Sequence, residues 1–483
     1  MYILGLEAST SAAKAMLWKE GEGVVAVKMA EYAPEDANVT TIDADAAVSA
    51  TLACGRALLE ENGSPAIRAI GLSSIWHSLL LLDENSRPLT RVLTWADTSA
   101  APTVAKYRAD LQLANKLYQS SGCVIHSMYN LWKWMHLRES GDVPAETKRL
   151  SGLGEYVTYV LTGKHMVSAS LASGSGFLNL KTKQYDEEIL QMAGISADML
   201  SVPVEPGEGA GLSAFAAKEL GLPEGTPVCA CGPDGGLNHI SAGGLSGGVM
   251  TLSVGTSGAL RMGADKPAVM EKPSTWCYYG GENRYIAGAA TSGAGNCVKW
   301  FAKEVLLNAR SYKELDALAE TAVSDVDGPE APFFLPFLFG ERSPGWQDGR
   351  RGEFAALSGN HSAAHLYYAV LEGVLFNLYQ NYTGLTAASG SVPTEISVSG
   401  GIVFSPFWLN MAADLFGIPL CENTHEHASL LGAVYMARKA AGAISSLCVP
   451  AGTGKIHTPN AVGTERLRAR FARWNELYQA QLV

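Results

Sequence analysis

The chain has 483 residues, and its 36 Lys+Arg against 47 Asp+Glu leave a formal net charge of −11. Hydrophobic residues at 47% and charged residues at 17% describe a folded globular protein, not a disordered one. The acidic balance, without Lys/Arg blocks, argues against nucleic acid or an anionic membrane surface and leaves a small molecule as the expected partner. At about 150 residues per domain the length suggests roughly three units, and two large α/β domains fit as well. The eight cysteines contain no C-x-x-C pair, and Cys229-Ala-Cys231 has the wrong spacing for a zinc ribbon, so buried thiols in a reducing compartment are expected. MYILGLEAST has a short apolar start and no basic leader, and no run of about 18 apolar residues follows, so a cytoplasmic location without a membrane span is expected.

In chain order, Tyr2-Ile3-Leu4-Gly5-Leu6 reads as a strand, Glu7-Ala8-Ser9-Thr10-Ser11 as a small-residue turn, and Ala13-Lys14-Ala15-Met16-Leu17-Trp18 as a returning strand. A helix pattern runs from Asp43 to Leu59. Strands follow at Ala66–Leu72 and Leu79–Asp83, and alternating strands and helices continue to Val228–Cys231, which makes the class α/β. Near residue 244 the pattern begins again. Met250–Val254 is a strand, Gly255-Thr256-Ser257-Gly258 a small hydroxyl turn, and Ala259–Met262 a return. The two hairpins stand roughly 240 residues apart, a weak internal repeat that suggests two related domains across a cleft; spacing alone leaves two unrelated hairpins open. Gly243–Gly248 between them reads as a linker or hinge.

Three segments are candidates for chemistry. The turns Ser9-Thr10-Ser11 and Gly255-Thr256-Ser257 suit phosphate, because backbone N–H groups and hydroxyls converge there without side-chain obstruction. Asp234, between Gly232-Pro233 and Gly235-Gly236 after a strand, is either a helix N-cap or a general base at the carboxyl end of a sheet. The third is Ile396–Gly401, a strand ending in Gly400-Gly401, before a helix with Ser405 as N-cap, Pro406 at N1 and Gly417 at its end. Its glycines either admit a flat ligand such as adenine or form a tight strand-to-helix turn.

Together these motifs resemble the FGGY carbohydrate kinases of the actin-like ATPase superfamily, nearly end to end. The resemblance rests on the opening hairpin, Trp95-Ala96-Asp97-Thr98, Gly232–Gly236, Val254–Gly258, Leu335-Pro336-Phe337 with Gly340-Glu341-Arg342-Ser343-Pro344, Leu371-Glu372-Gly373, and Gly400-Gly401 with Ala413-Asp414. It implies two actin-like (ribonuclease H-like) domains with a catalytic cleft between them, 1–244 binding the sugar and 245–483 the nucleotide. It further implies ATP and Mg²⁺ as cofactors, Asp234 as catalytic base, and Ser9, Thr10, Ser11, Gly255, Thr256 and Ser257 on the ATP phosphates. Gly295, Gly400, Gly401 and Ser405 are implied near adenosine, Glu7 and Asp234 at the metal, and a homodimer is the usual arrangement.

Several positions depart from the family pattern. Glu7 stands where Asp is usual, Ser99 where Arg is usual, Ser168 where Asp is common, and Asn130 and His136 replace a small residue and Trp. Ser73–Leu79, Thr94–Thr98 and Cys123–Met128 look most like gluconate kinases, then xylulokinases. Trp76, His77, Met128, Asp234 and Gly235 are accordingly the expected sugar contacts, and without Arg at 99, Lys133 or a histidine is left to meet a gluconate carboxylate. A reading of another class is a non-catalytic ATP- or sugar-binding protein, with Glu7, Ser99 and Ser168 marking lost catalysis. His425-Glu426-His427 reads as a solvated loop and Glu465–Leu482 as a surface helix.

Overall fold

A computed structural model describes residues 1–307, 311–324, 330–423 and 426–481. Two seven-stranded sheets carry the molecule. In the first, Tyr2–Ala8 pairs antiparallel with Ala12–Lys19, which pairs antiparallel with Gly23–Glu31. On its other side Tyr2–Ala8 runs parallel to Ile67–Ser74, which runs parallel to Pro227–Cys229. The second sheet repeats this plan. Val249–Val254 pairs antiparallel with Gly258–Ala264, then Arg284–Thr291, and parallel with Glu395–Ser399, then Leu420–Glu422. Shared order and direction over five strands make the hairpins members of a true repeat.

Local signals explain most elements. The opening strand is a near-continuous apolar run because both faces are covered, and residues 3–8 are all buried. The helix Ala44–Glu61 begins where Asp43 accepts a hydrogen bond from the Ala46 N–H at 2.9 Å. The helix Pro406–Phe416 keeps its expected ends, with the Ser405 hydroxyl accepting from Trp408 N–H and Gly417 in the left-handed region.

Packing gives each sheet its own core. One element crosses over. The helix Ala428–Ala440, late in the sequence, packs Leu430, Val434 and Ala437 into the core of the first sheet. It can lie so close because a Cβ on Gly71 would sit 1.9 Å from the Ala433 carbonyl oxygen.

Two expectations change. Residues 243–248 are not an open linker: Gly244–Ser246 forms a 3₁₀ turn whose apolar Leu245 is fully buried, between Gly243 and Gly247 at positive φ. The C-terminal helix, Ala461–Ala480, is no mere surface helix, because Leu467, Arg470, Trp474 and Tyr478 line an inward face. Arg470 pairs there with buried Glu372 at 2.6 Å. All eight cysteines are free thiols, seven of them buried. His425 and Leu482 lie outside the described residues. Among those described, no helix is long and apolar enough to cross a membrane.

Candidate functional site

Asp234 opens the helix Asp234–Ser241 at the carboxyl end of the first sheet. It does not cap that helix: the N-cap is Pro233, and Asp234 accepts only the N–H of Gly235, at 2.7 Å. The carboxyl stays partly open yet deep. Burial, then the negative charge of Glu7, raise its pKa to about 6, against the pull of the Gly235 N–H and the cations Arg261 and Lys14. A carboxylate poised there can take a proton from a hydroxyl near neutral pH.

Glu7, near the end of the opening strand, is buried rather than a surface carboxylate. The sheet register explains its partners: Lys14 stands opposite on the returning strand and Ser73 alongside on the parallel neighbour. The Lys14 ammonium donates to Oε1 at 2.5 Å, and the Ser73 hydroxyl donates to Oε2 at 3.0 Å. Ser429, on the crossing helix, also donates to Oε2. Glu7 therefore has a resident cation, and its charge does not by itself call for a metal. A carboxylate offers about four acceptor positions, so three occupied leave one.

The expected sugar residues come together beside Asp234. Trp76 and His77 lie parallel with centroids 5.9 Å apart, and Tyr278 tilts against Trp76 at 4.6 Å between centroids, so rings following a strand of the first sheet meet one from the second. Glycine makes room: a Cβ on Gly174 would lie 2.4 Å from the Trp76 ring. The Nδ1–H of His77 donates to the Gly174 carbonyl at 2.7 Å, which leaves Nε2 as an acceptor. Burial pushes the pKa of His77 down to about 3, so this imidazole is neutral at ordinary pH. Met128 is buried, and Gly235 lets Arg261 approach, since a Cβ there would meet a guanidinium nitrogen at 2.9 Å.

A cavity of about 960 Å³ opens in the other unit. Gly255, Thr256, Gly295 and Gly401 line it, with Asn296, Lys299, Tyr312 and Trp408. The segment after Ala294 fixes the turn, because the N–H groups of Gly295 and Asn296 donate to the carbonyls of Gly255 and Thr256 at 2.9 and 3.1 Å. Ser257 is exposed on that turn, and Gly400, at φ 92°, backs against the Val254 carbonyl. Ser405 is not brought to this cavity. It is buried as a helix cap, its hydroxyl donating to Asp316. On the first turn, Ser9 closes onto Ala12, Thr10 accepts from the Trp95 indole at 3.3 Å, and Ser11 is exposed.

Lys133 is engaged within the protein. Its ammonium is buried and donates to the carbonyls of Ser127 and Met128, both at 2.8 Å, while burial lowers its pKa to about 7. Ser168 caps a short helix and donates to the Cys231 carbonyl at 2.9 Å, so it has a structural task. Ser99 is exposed and bonds Asp97. Two cations that sequence reading passed over are Arg261, which stands near Asp234, and Arg342, which stands near Tyr129 and Tyr278. Their signal was faint. Arg261 is a lone charge on an apolar strand, and Arg342 sits inside the quoted Gly340–Pro344 motif.

Solved neighbours define the class first. A gluconate kinase from Lactobacillus acidophilus superposes with a TM-score of 0.92 at 28% identity, covering 99% of this chain and 98% of that one. A xylulose kinase from the same organism gives 0.93 at 27% identity, covering 100% and 98%. The fold is that of two-domain kinases built on the actin-like ATPase plan. Residues 2–240 match the N-terminal domain of the FGGY family of carbohydrate kinases, and residues 250–441 match the C-terminal domain. The chain belongs to that family and is a carbohydrate kinase; kinases of this family take the phosphoryl group from ATP. Gluconokinase of Bacillus subtilis (strain 168) is 30% identical over 95% of this chain and 92% of its own length. Xylulose kinase of the same strain is 27% identical, over 92% and 89%.

Proposed function

We propose that this kinase phosphorylates a sugar acid, with gluconate as acceptor and 6-phosphogluconate as product. The similarity to gluconokinase over almost the full length supports that choice. The observation that carries the mechanism is Asp234, a carboxyl of raised pKa at the meeting of the two units. Asp234 accepts the proton of the attacking hydroxyl, an effect typically worth about 10²–10⁴-fold. His77 Nε2 receives a second substrate hydroxyl, and Trp76 bounds the carbon chain. The turns 9–11 and 255–257 hold the ATP phosphates, and Gly295 and Gly401 admit the adenosine. Ser405 acts through the helix it caps. Phosphoryl transfer asks mainly for such positioning and for charge neutralisation.

The donor set fits a magnesium ion that keeps most of its waters and takes few protein ligands. Asp234, with one hydrogen bond, and the remaining position on Glu7 would hold it. When bound, the ion neutralises charge on the ATP phosphates. The reading also includes a sugar-binding unit at 1–244, a nucleotide-binding unit at 245–483, a homodimer and a cytoplasmic location.

The test is ADP release with ATP, Mg²⁺ and a panel of gluconate, xylulose and polyols. Asp234→Asn should lower kcat at least about 10²-fold with little change in stability. Equal turnover by variant and wild type removes Asp234 from the chemistry. A panel in which xylulose outruns gluconate changes the substrate.

A further inference from the structure

Arg261 and Arg342 are half-buried cations with no salt bridge among the described residues; the Asp234 carboxyl acts on Arg261 at longer range. The Nε of each is buried and has no hydrogen-bond partner among the described residues. Arg342 reaches only the Met128 sulfur, with Nη2 at 3.5 Å. The carboxylates nearest to it in sequence are taken by other groups. Glu341 is held by Arg350 at 2.9 Å, and Asp348 faces Arg108 and His126, each at 3.8 Å. Withdrawing a charge from water without pairing it is costly, so such a pair suits an anion that arrives from outside.

The position says which anion. Neither arginine lines the cavity of about 960 Å³ bounded by Gly255, Gly295 and Gly401, so the nucleotide is the wrong partner for Arg342. Arg342 instead stands by Met128, Tyr129 and Tyr278, on the acceptor side. Arg261 lies within Coulombic reach both of Asp234 and of Arg342. An acceptor whose hydroxyl end meets Asp234, beside Arg261, therefore carries its other end toward Arg342.

We propose that Arg342, seconded by Arg261, anchors the carboxylate of an aldonate acceptor. The planar fork of a guanidinium matches a carboxylate through two parallel hydrogen bonds. This proposal rests on the kinase reading above and assigns the residues that would hold its acid group. It also supplies the cation that position 99 lacks.

The experiment compares kcat/KM for gluconate, for glucitol (the same carbon chain without the carboxylate) and for fructose 1-phosphate. The wild type should prefer gluconate over glucitol by at least about 10²-fold, as expected where a buried polar site is left unpaired by the wrong ligand. Arg342→Gln should abolish that preference by raising the gluconate KM while the ATP KM stays constant. Arg342→Lys, which keeps the charge and loses the fork, should recover part of it. Calorimetric titration of gluconate alone, without nucleotide, should show binding to the wild type and its loss in Arg342→Gln. Equal gluconate affinity in the two, or a wild type that prefers glucitol or fructose 1-phosphate, overturns the anchor and leaves the kinase standing. Gluconate binding through Arg342 with no acceptor turned over does the reverse.

Discussion

The opening hairpin and its counterpart in the second sheet each present one cation to Asp234, and they treat it differently. In the first, Ala8 pairs with Ala13 across residues 9–12, which sets Lys14 directly opposite Glu7. In the second, Val254 pairs with Gly258 across residues 255–257, which sets Ala259 opposite Ser253 and Arg261 opposite Thr251. The strand pairing is equivalent in the two hairpins, and the cation of the second sits two residues farther along the returning strand, on the same face. The charge of the first hairpin is balanced within the protein. That of the second forms no salt bridge among the described residues and acts on Asp234 at longer range. Repeating a fold therefore did not repeat its electrostatics: one copy holds its cation in a salt bridge and the other does not.

That contrast can be broken by mutation. Lys14→Met leaves Glu7 buried without its cation and should lower stability by about 2 kcal/mol, read as the urea midpoint. Arg261→Met removes a cation that forms no salt bridge and acts on Asp234 only at longer range, so stability should fall by less, about 1 kcal/mol. Similar losses in the two variants would erase the distinction. Gly401→Val, in the wall of the nucleotide cavity, should raise the ATP KM about tenfold and spare the gluconate KM, since its Cβ already meets the Tyr312 hydroxyl at 3.1 Å. Gly400 is unsuitable for this test because its φ of 92° disfavours any side chain.

A pH profile sharpens the comparison further. Asp234 must be ionised to act as base, so kcat/KM should fall as pH drops through about 6. The negative charge of Glu7 is one reason that value is high, so Glu7→Gln should move the acid limb to lower pH, by about half a unit. An unmoved limb would separate the two carboxyls. Ser253→Ala, the corresponding change in the second hairpin, touches no charge and should leave the profile and the stability within about 0.5 kcal/mol.

Local signals made much of this legible. Strand periodicity and turn residues marked both hairpins, and cap residues marked both ends of the helix Pro406–Phe416. The position of Asp234 after a strand and between glycines sufficed to single it out, though not to decide between cap and base. What escaped was non-local. Nothing near Lys133 in the sequence foretells that two carbonyls would absorb its ammonium, and nothing near Ser405 foretells Asp316. Arg261 and Arg342 become a pair only when a strand and a distant loop fold together.

The helix Ala428–Ala440 carries a consequence for the order of synthesis. The first sheet is translated long before the segment that covers it, and its glycines Gly5 and Gly71 form a groove shaped for that helix. Until residue 440 emerges, the nascent chain exposes apolar surface that its own first half has nothing to cover. Such a chain completes its earliest-made core last, and an unfinished product is an aggregation-prone species rather than a finished domain awaiting its partner.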